Sequence, residues 1–277
     1  MASHNAKDSL RKEAHVLRQL QTLTMWRGGL VHDALHQFFV PTLLSRNIIP
    51  EKEIISNTFH LTDIRYAFSK DRKYRSGEAK SHAGEQFCAL FEHEYGQEIS
   101  SDAIPKIKEE IAKCYSNLYK NDQMISTLSR GNWYGSELNL PFQLNGATVS
   151  GKLDLVMFSG NDMIIVDWKV GTSESSDYAL QLQVYAMAAL SKWNKPLGNL
   201  HLIEYNLLTN EVTNHSSTVE KIQNAEDFIY RSLLDLHALT GNKPYSEQDF
   251  HDYSCANSSE TCRYCKFLSL CLRMLHD

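Results

Sequence analysis

Ser150 to Val170, SGKLDLVMFSGNDMIIVDWKV, is the stretch that decides the fold of this 277-residue chain. It reads as two short strands joined by a tight turn at Gly160-Asn161, residue types that tolerate the backbone a turn demands. Before the turn, Leu153, Leu155 and Met157 alternate with Asp154, Val156 and Phe158. After it comes an apolar run from Met163 to Val166, ending in Asp167-Trp168-Lys169. Side chains of a strand alternate between faces. Ile164, Val166, Trp168 and Val170 therefore share one face, which requires a covering layer. Met163, Ile165, Asp167 and Lys169 share the other, apolar at its start and charged at its end. Pairing of the two strands brings Asp154 near that charged end.

Two carboxylates and an amine at one strand end can be a salt bridge and nothing more, since ion pairs across a strand face are common. They can also serve chemistry. Carboxylates are hard oxygen ligands for a divalent ion such as magnesium. Such an ion lowers the pKa of a bound water and stabilises charge on a phosphoryl oxygen. An ammonium beside it orients the water or offsets developing charge. The elements on either side of the stretch favour the second reading.

Gly151-Lys-Leu-Asp154 followed by Asp167-Trp-Lys169 resembles the two acidic half-motifs of the PD-(D/E)XK nuclease superfamily. Downstream, Gln181-Leu182-Gln183-Val184-Tyr185 is similar to the Q-x-x-x-Y helix of its RecB-like branch. Upstream, Gly28-Gly-Leu-Val-His32 is similar to that branch's histidine motif. Near the end, Cys262-x2-Cys265-x5-Cys271 resembles the cysteine tail of its iron–sulfur members, among them the nucleases of CRISPR spacer acquisition. Each motif alone is weak; four in the family's order, from residue 28 to 271, cover most of the chain.

The resemblance implies an α/β fold of the restriction-endonuclease-like kind, a mixed central sheet flanked by helices, with an N-terminal helical portion and a Cys-rich C-terminal tail. It implies Asp154, Asp167 and Lys169 as catalytic residues, with His32, Asp154 and Asp167 as ligands of Mg2+ or Mn2+. Gln181 and Tyr185 would support the site. DNA is the implied substrate, and a helicase or a defence-system subunit is an implied partner. A nuclease-like scaffold that binds DNA or a partner without cleaving is the alternative, which the intact acid–acid–lysine set argues against.

Bulk composition fits a folded protein: 42% hydrophobic and 22% charged residues, with 6 Pro and 13 Gly. The net charge of −5 excludes a protein that coats nucleic acid by global positive charge. No apolar run approaches the roughly 18 residues of a membrane span, and the N-terminus lacks the apolar core of a secretory signal. A cytoplasmic location is the expectation. Three segments are expected: a mainly helical part over residues 1–131, the nuclease core over 132–245, and the Cys-rich tail over 246–277.

Around the core, Leu10, Ala14, Leu17, Leu20 and Leu23 recur at helical spacing, so residues 8–23 read as a helix. Thr24 to Val40 reads as a second helix that stops at Pro41 and carries His32 and His36 one turn apart. A lone histidine more often caps or packs a helix than binds metal; the acids downstream reverse that preference for His32. Asn57 to Ala67 reads as strand or loop. Arg65, Lys70, Arg72, Lys73 and Arg75, interleaved with Tyr66, Phe68 and Tyr74, make the most basic patch and suit DNA contact, although such runs are more often a solvated face. Helices follow over His82–Tyr95 and Ala103–Tyr119, where Cys88 and Cys114 read as packing residues.

Trp133 to Leu144 alternates as a strand, Asn145-Gly146 is a hairpin turn, and the Asp154 strand comes next. Glu137 is a further strand acid within reach of the site, but exposed strand glutamates are common. Residues 171–176 form a loop leading into a helix from Asp177 to Lys192, then strands over Leu200–Leu208 and Thr213–Val219 and a helix over 220–240. The tail holds Cys255, Cys262, Cys265 and Cys271, four of the six cysteines, a clustering that favours metal over disulfides in a reducing compartment. Four thiolates suit a [4Fe-4S] cluster or a zinc ion. Cluster-bearing relatives take one cysteine from before the histidine motif, and here none precedes Cys88, so Cys255 would have to serve as the fourth ligand or the tail binds no metal.

Overall fold

The computed structural model describes residues 8–76, 80–171, 177–244, 247–248, 253–254, 256 and 258–276, with backbone alone at 177 and 273–276. In chain order the elements are α1 (Ser9–Leu17), α2 (Leu23–Ala34), a π-helical stretch (Leu35–Phe39), α3 (Val40–Ser45), α4 (Glu51–Lys70), α5 (Lys80–Ala83), α6 (Phe91–Glu94), α7 (Ala103–Lys120) and α8 (Asp122–Leu128). The sheet strands follow as β1 (Trp133–Leu144), β2 (Ala147–Ser159) and β3 (Asp162–Lys169). Then come α9 (Asp177–Trp193), β4 (Leu200–Asn206), β5 (Glu211–His215), α10 (Val219–Thr240), α11 (Ser259–Arg263) and α12 (Leu268–His276). No helix among the described residues is long and apolar enough to cross a membrane. The chain divides into two compact units: Gly28–Thr58 with Pro105–Asp235, and Met1–Arg27 with Phe59–Ile104 and Leu236–Asp277.

The first of these units holds a mixed five-stranded sheet in the order β1-β2-β3-β4-β5, the α/β fold expected. Strands β3 and β4 run parallel and all other neighbours antiparallel. Asn145 and Gly146 both have positive φ, 49° and 81°, the backbone that matches the twist of a two-residue hairpin. A parallel pair needs a crossover connection, and α9 supplies it between β3 and β4. Leu182, Ala186 and Ala189 of α9 pack on Leu153, Val156, Met163, Ile165, Leu200 and Leu202 of the sheet. Met163 and Ile165 thus lie under the helix, as the alternation requires. On the opposite face, Trp168 meets Tyr205 edge-on at 6.0 Å between ring centroids. Asn117 of α7 donates to the carbonyls of Leu207 and Leu208, fixing the chain just beyond β4.

The second unit packs Leu17, Leu20, Phe68, Tyr74, Ala89 and Phe91 into a small core. Here the basic residues of 65–75 take structural work. Arg65 is buried and its Nε donates to the Glu85 carbonyl at 2.7 Å. Arg72 donates to the carbonyls of His93 and Glu94. Arg75 pairs with Glu13 and Glu94, and its guanidinium is pushed further up in pKa by hydrogen bonds to both. Lys73 lies 3.2 Å from Asp71, and Lys70 is exposed. The three arginines of the patch therefore serve the fold, which a charge count along the sequence does not reveal.

Five local expectations change. The helix expected over residues 8–23 ends at Leu17, and Gln21 forms a bridge with Leu90. Residues 57–67 are helical, inside α4. The buried stripe of that helix includes Thr58, Thr62, Arg65 and Ser69, polar residues that hide a helical period from a hydrophobic pattern; Thr58 satisfies its hydroxyl on the Ile54 carbonyl one turn back. Pro41 does not end the second helix. The chain passes through the π-helical stretch, and Pro41 occupies the first turn of α3, where a missing N–H costs nothing. The expected helix over His82–Tyr95 is broken into α5, a turn at Gly84–Gln86, and α6. Gly84 takes a left-handed φ of 58°, and Leu90 forms a bridge with Gln21. The last strand is Glu211–His215, earlier in the chain than the expected Thr213–Val219.

Candidate functional site

The site forms where the β2–β3 ladder stops. Their pairing ends at Leu155 with Val166. Two residues further along β3, the Trp168 backbone N–H donates to Asp154 Oδ2 at 2.8 Å. A carboxylate thus takes a hydrogen bond that a strand carbonyl would otherwise accept, and this fixes Asp154 across from Asp167. Asp154 Oδ1 lies 3.4 Å from His32 Nδ1 in the last turn of α2. The π-helical stretch begins three residues after His32, a geometry that recurs at functional sites.

Glu137 completes the group. It stands opposite Asp154, between the paired positions Ser136–Leu155 and Leu138–Leu153, and adopts a left-handed φ of 56°. A non-glycine residue in that region carries strain of about 1 kcal/mol or more. Its carboxylate lies 3.9 Å from His32 Nδ1 and pairs with Lys152. The ligand atoms of His32, Glu137 and Asp154 all fall within 4.8 Å of one another, the one such set of three among the described residues. Sequence reasoning places Glu137 within reach of the site without assigning it a role. A signal was present: a two-residue turn at Asn145-Gly146 fixes the hairpin register and puts Glu137 directly opposite Asp154.

Asp167 is 1% exposed. Lys169 Nζ lies 2.6 Å from its Oδ2 in a buried ion pair, and no other described residue donates to that oxygen. Burial, then the charge of Asp154, raises the Asp167 pKa to about 6 against the pull of Lys169 and His32. Burial acts to lower the His32 pKa, but the hydrogen bond and charge of Asp154, with the charges of Glu137 and Asp167, together raise it. Lys169 also donates to Gln181 Oε1 at 2.9 Å, and Gln181 Nε2 donates to the Tyr185 hydroxyl. Burial keeps Tyr185 protonated by raising its pKa, with Asp167 and Asp154 adding to the shift. The Tyr185 ring seats on Gly151: a Cβ there would come 3.2 Å from Tyr185 Cδ1.

A model of the PD-(D/E)XK nuclease superfamily matches residues 5–272. The chain belongs to the PD-(D/E)XK nuclease superfamily. A comparison with curated proteins finds no match. Among solved structures the chain is similar to SSO0001, at 17% identity and a TM-score of 0.30 over 65% of this chain and 78% of that one. It is also similar to a protein of Eubacterium rectale provisionally named an exonuclease, at 10% identity and a TM-score of 0.39 over 91% of this chain and 95% of that one.

Of the superfamily pattern, the structure brings His32, Asp154, Asp167, Lys169, Gln181 and Tyr185 together on one face of one unit. Glu204 of β4 pairs in register with Asp167 and accepts from or pairs with His215 Nε2 at 3.1 Å. Glu137, Asp154, Asp167 and Glu204 therefore form one row of acids across β1 to β4. The carboxylate and imidazole donors of His32, Glu137 and Asp154 fit a small divalent ion of the magnesium or manganese kind; Asp167, ion-paired with Lys169, stands outside that set of three. The tail is different. Cys262, Cys265 and Cys271 are half-buried thiols that form no set of three with ligand atoms within 4.8 Å, and Cys255 lies outside the described residues, as do residues 172–176. His36, one turn beyond His32, shares a hydrogen bond with Ser136 of β1 at 2.6 Å.

Proposed function

We propose that this nuclease-superfamily chain is a divalent-metal-dependent deoxyribonuclease that hydrolyses phosphodiester bonds. The observation that carries the reading is the convergence of His32, Glu137 and Asp154 within 4.8 Å, beside the buried Asp167–Lys169 pair. His32, Glu137, Asp154 and Asp167 would hold Mg2+ or Mn2+. Bound there, the ion supplies an activated water and stabilises charge on the phosphoryl oxygen. Lys169 sets its ammonium beside Asp167, where it orients the attacking water and offsets charge as the bond to phosphorus forms. Gln181 holds that ammonium from the other side, and Tyr185 holds Gln181. Asp154 is kept in place by the Trp168 N–H, so its approach to the site does not depend on a mobile side chain.

The RecB-like pairing of a histidine motif with Q-x-x-x-Y supports cleavage from DNA ends or of single strands. On the same ground the expected setting is repair, recombination or antiviral defence, alongside a helicase or defence-system subunit. What supports catalysis over a silent scaffold is that acid, acid and lysine are all present and mutually engaged.

The test is a digestion assay on circular and linear DNA, single- and double-stranded, with Mg2+ or Mn2+. Linear DNA should be degraded and intact circles spared. Lys169→Met and Asp154→Asn should each lose at least about a hundredfold in rate while circular dichroism stays native. Full activity in both variants sinks the assignment.

A further inference from the structure

A lysine ammonium has three N–H donors and a flexible four-carbon stem, and it stays where it is put only if its surroundings hold it. Lys169 has two polar holders, Asp167 Oδ2 at 2.6 Å and Gln181 Oε1 at 2.9 Å. A third neighbour lies outside the Q-x-x-x-Y pattern. Lys169 Nζ sits 4.1 Å from the centroid of the Tyr178 ring. At that distance a ring face attracts a cation through its quadrupole and keeps water off that side. Tyr178 and Gln181 are three residues apart on α9, so one turn of helix presents both to the same ammonium.

We propose that Tyr178 is a positioning residue whose ring face forms the third side of a pocket holding the Lys169 ammonium against the acid cluster. Carboxylate, amide oxygen and ring meet the ammonium from three residues on two elements, β3 and α9. Swinging the lysine out toward solvent then breaks all three contacts together. The ring is the part that matters, because the contact is to its centroid. Phenylalanine therefore keeps the function, whereas an aliphatic residue of similar bulk does not. The catalytic consequence rests on the nuclease reading above; the pocket itself does not.

The test compares the full chain carrying Tyr178→Phe or Tyr178→Leu by two readouts. In a 1H–13C correlation spectrum, the Lys169 Cε–H signal, assigned by its loss in Lys169→Met, should lie upfield of the other lysines through the ring current. It should stay there in Tyr178→Phe and return to the common position in Tyr178→Leu. In DNA cleavage with Mg2+, Tyr178→Leu should lower kcat about tenfold with KM within about twofold, and Tyr178→Phe should stay within about twofold of the parent. A Phe variant as slow as the Leu variant, or a Lys169 signal that Tyr178→Leu leaves in place, overturns the proposal. A signal that moves as described in a chain that cleaves no DNA sustains the pocket and overturns the nuclease reading instead.

Discussion

Asp167 sits almost wholly out of water beside Asp154, and its folded-state pKa of about 6 exceeds the ordinary value of 3.8. A carboxyl shifted upward adds stability that is fully present below its unfolded pKa and is lost as pH rises through the folded one. For Asp167 the window runs from about pH 4 to above pH 6. In the metal-free protein, Asp167→Asn should therefore stabilise the fold at pH 7 to 8 by on the order of 2 kcal/mol, read as a higher melting temperature, with no gain below pH 4. Thermal unfolding in chelator across that range measures it, and a variant less stable than the parent at pH 8 contradicts the account. The spatial meeting of Asp154, Asp167, Lys169 and His32 was legible in sequence because each belongs to a local motif. Glu137 was legible only in part: hairpin register places it opposite Asp154, but the left-handed backbone it adopts is one that no propensity favours. Arg65 misled for the reverse reason: its charge is visible in sequence, but its bond to the Glu85 carbonyl is not.

At the scale of elements, β2 and α9 are matched by a glycine. Gly151 leaves room for the Tyr185 ring, and Tyr185 in turn supports Gln181 and through it Lys169. Gly151→Val should push that ring outward and lower kcat about tenfold or more, since small misplacement of a reacting group is costly. It should leave the sheet intact by circular dichroism. A valine variant with parental kinetics would falsify this chain of support. The strands and α9 could be read from alternation and helical period, since apolar residues line their buried faces. Helix α4 could not, because threonine, arginine and serine occupy its buried stripe. The π-helical stretch Leu35–Phe39 does not stand out from an ordinary helix by composition either.

Across the whole molecule the net charge is −5, and a row of acids from Glu137 to Glu204 crosses four strands spaced about 4.8 Å apart. Among the described residues His32, Lys152, Lys169 and His215 lie against this row. Such a largely buried row of carboxylates repels an approaching phosphate backbone unless cations intervene. With the inactive Lys169→Met variant, fluorescence anisotropy should show DNA affinity rising about tenfold or more when Mn2+ replaces chelator. Sodium chloride of equal ionic strength should not reproduce the gain, since screening alone acts only beyond roughly a Debye length. Equal affinity in chelator and in Mn2+ refutes the point. If the nuclease reading proposed above holds, a chelator would stop this protein twice, once at the encounter of two anions and once at the bond.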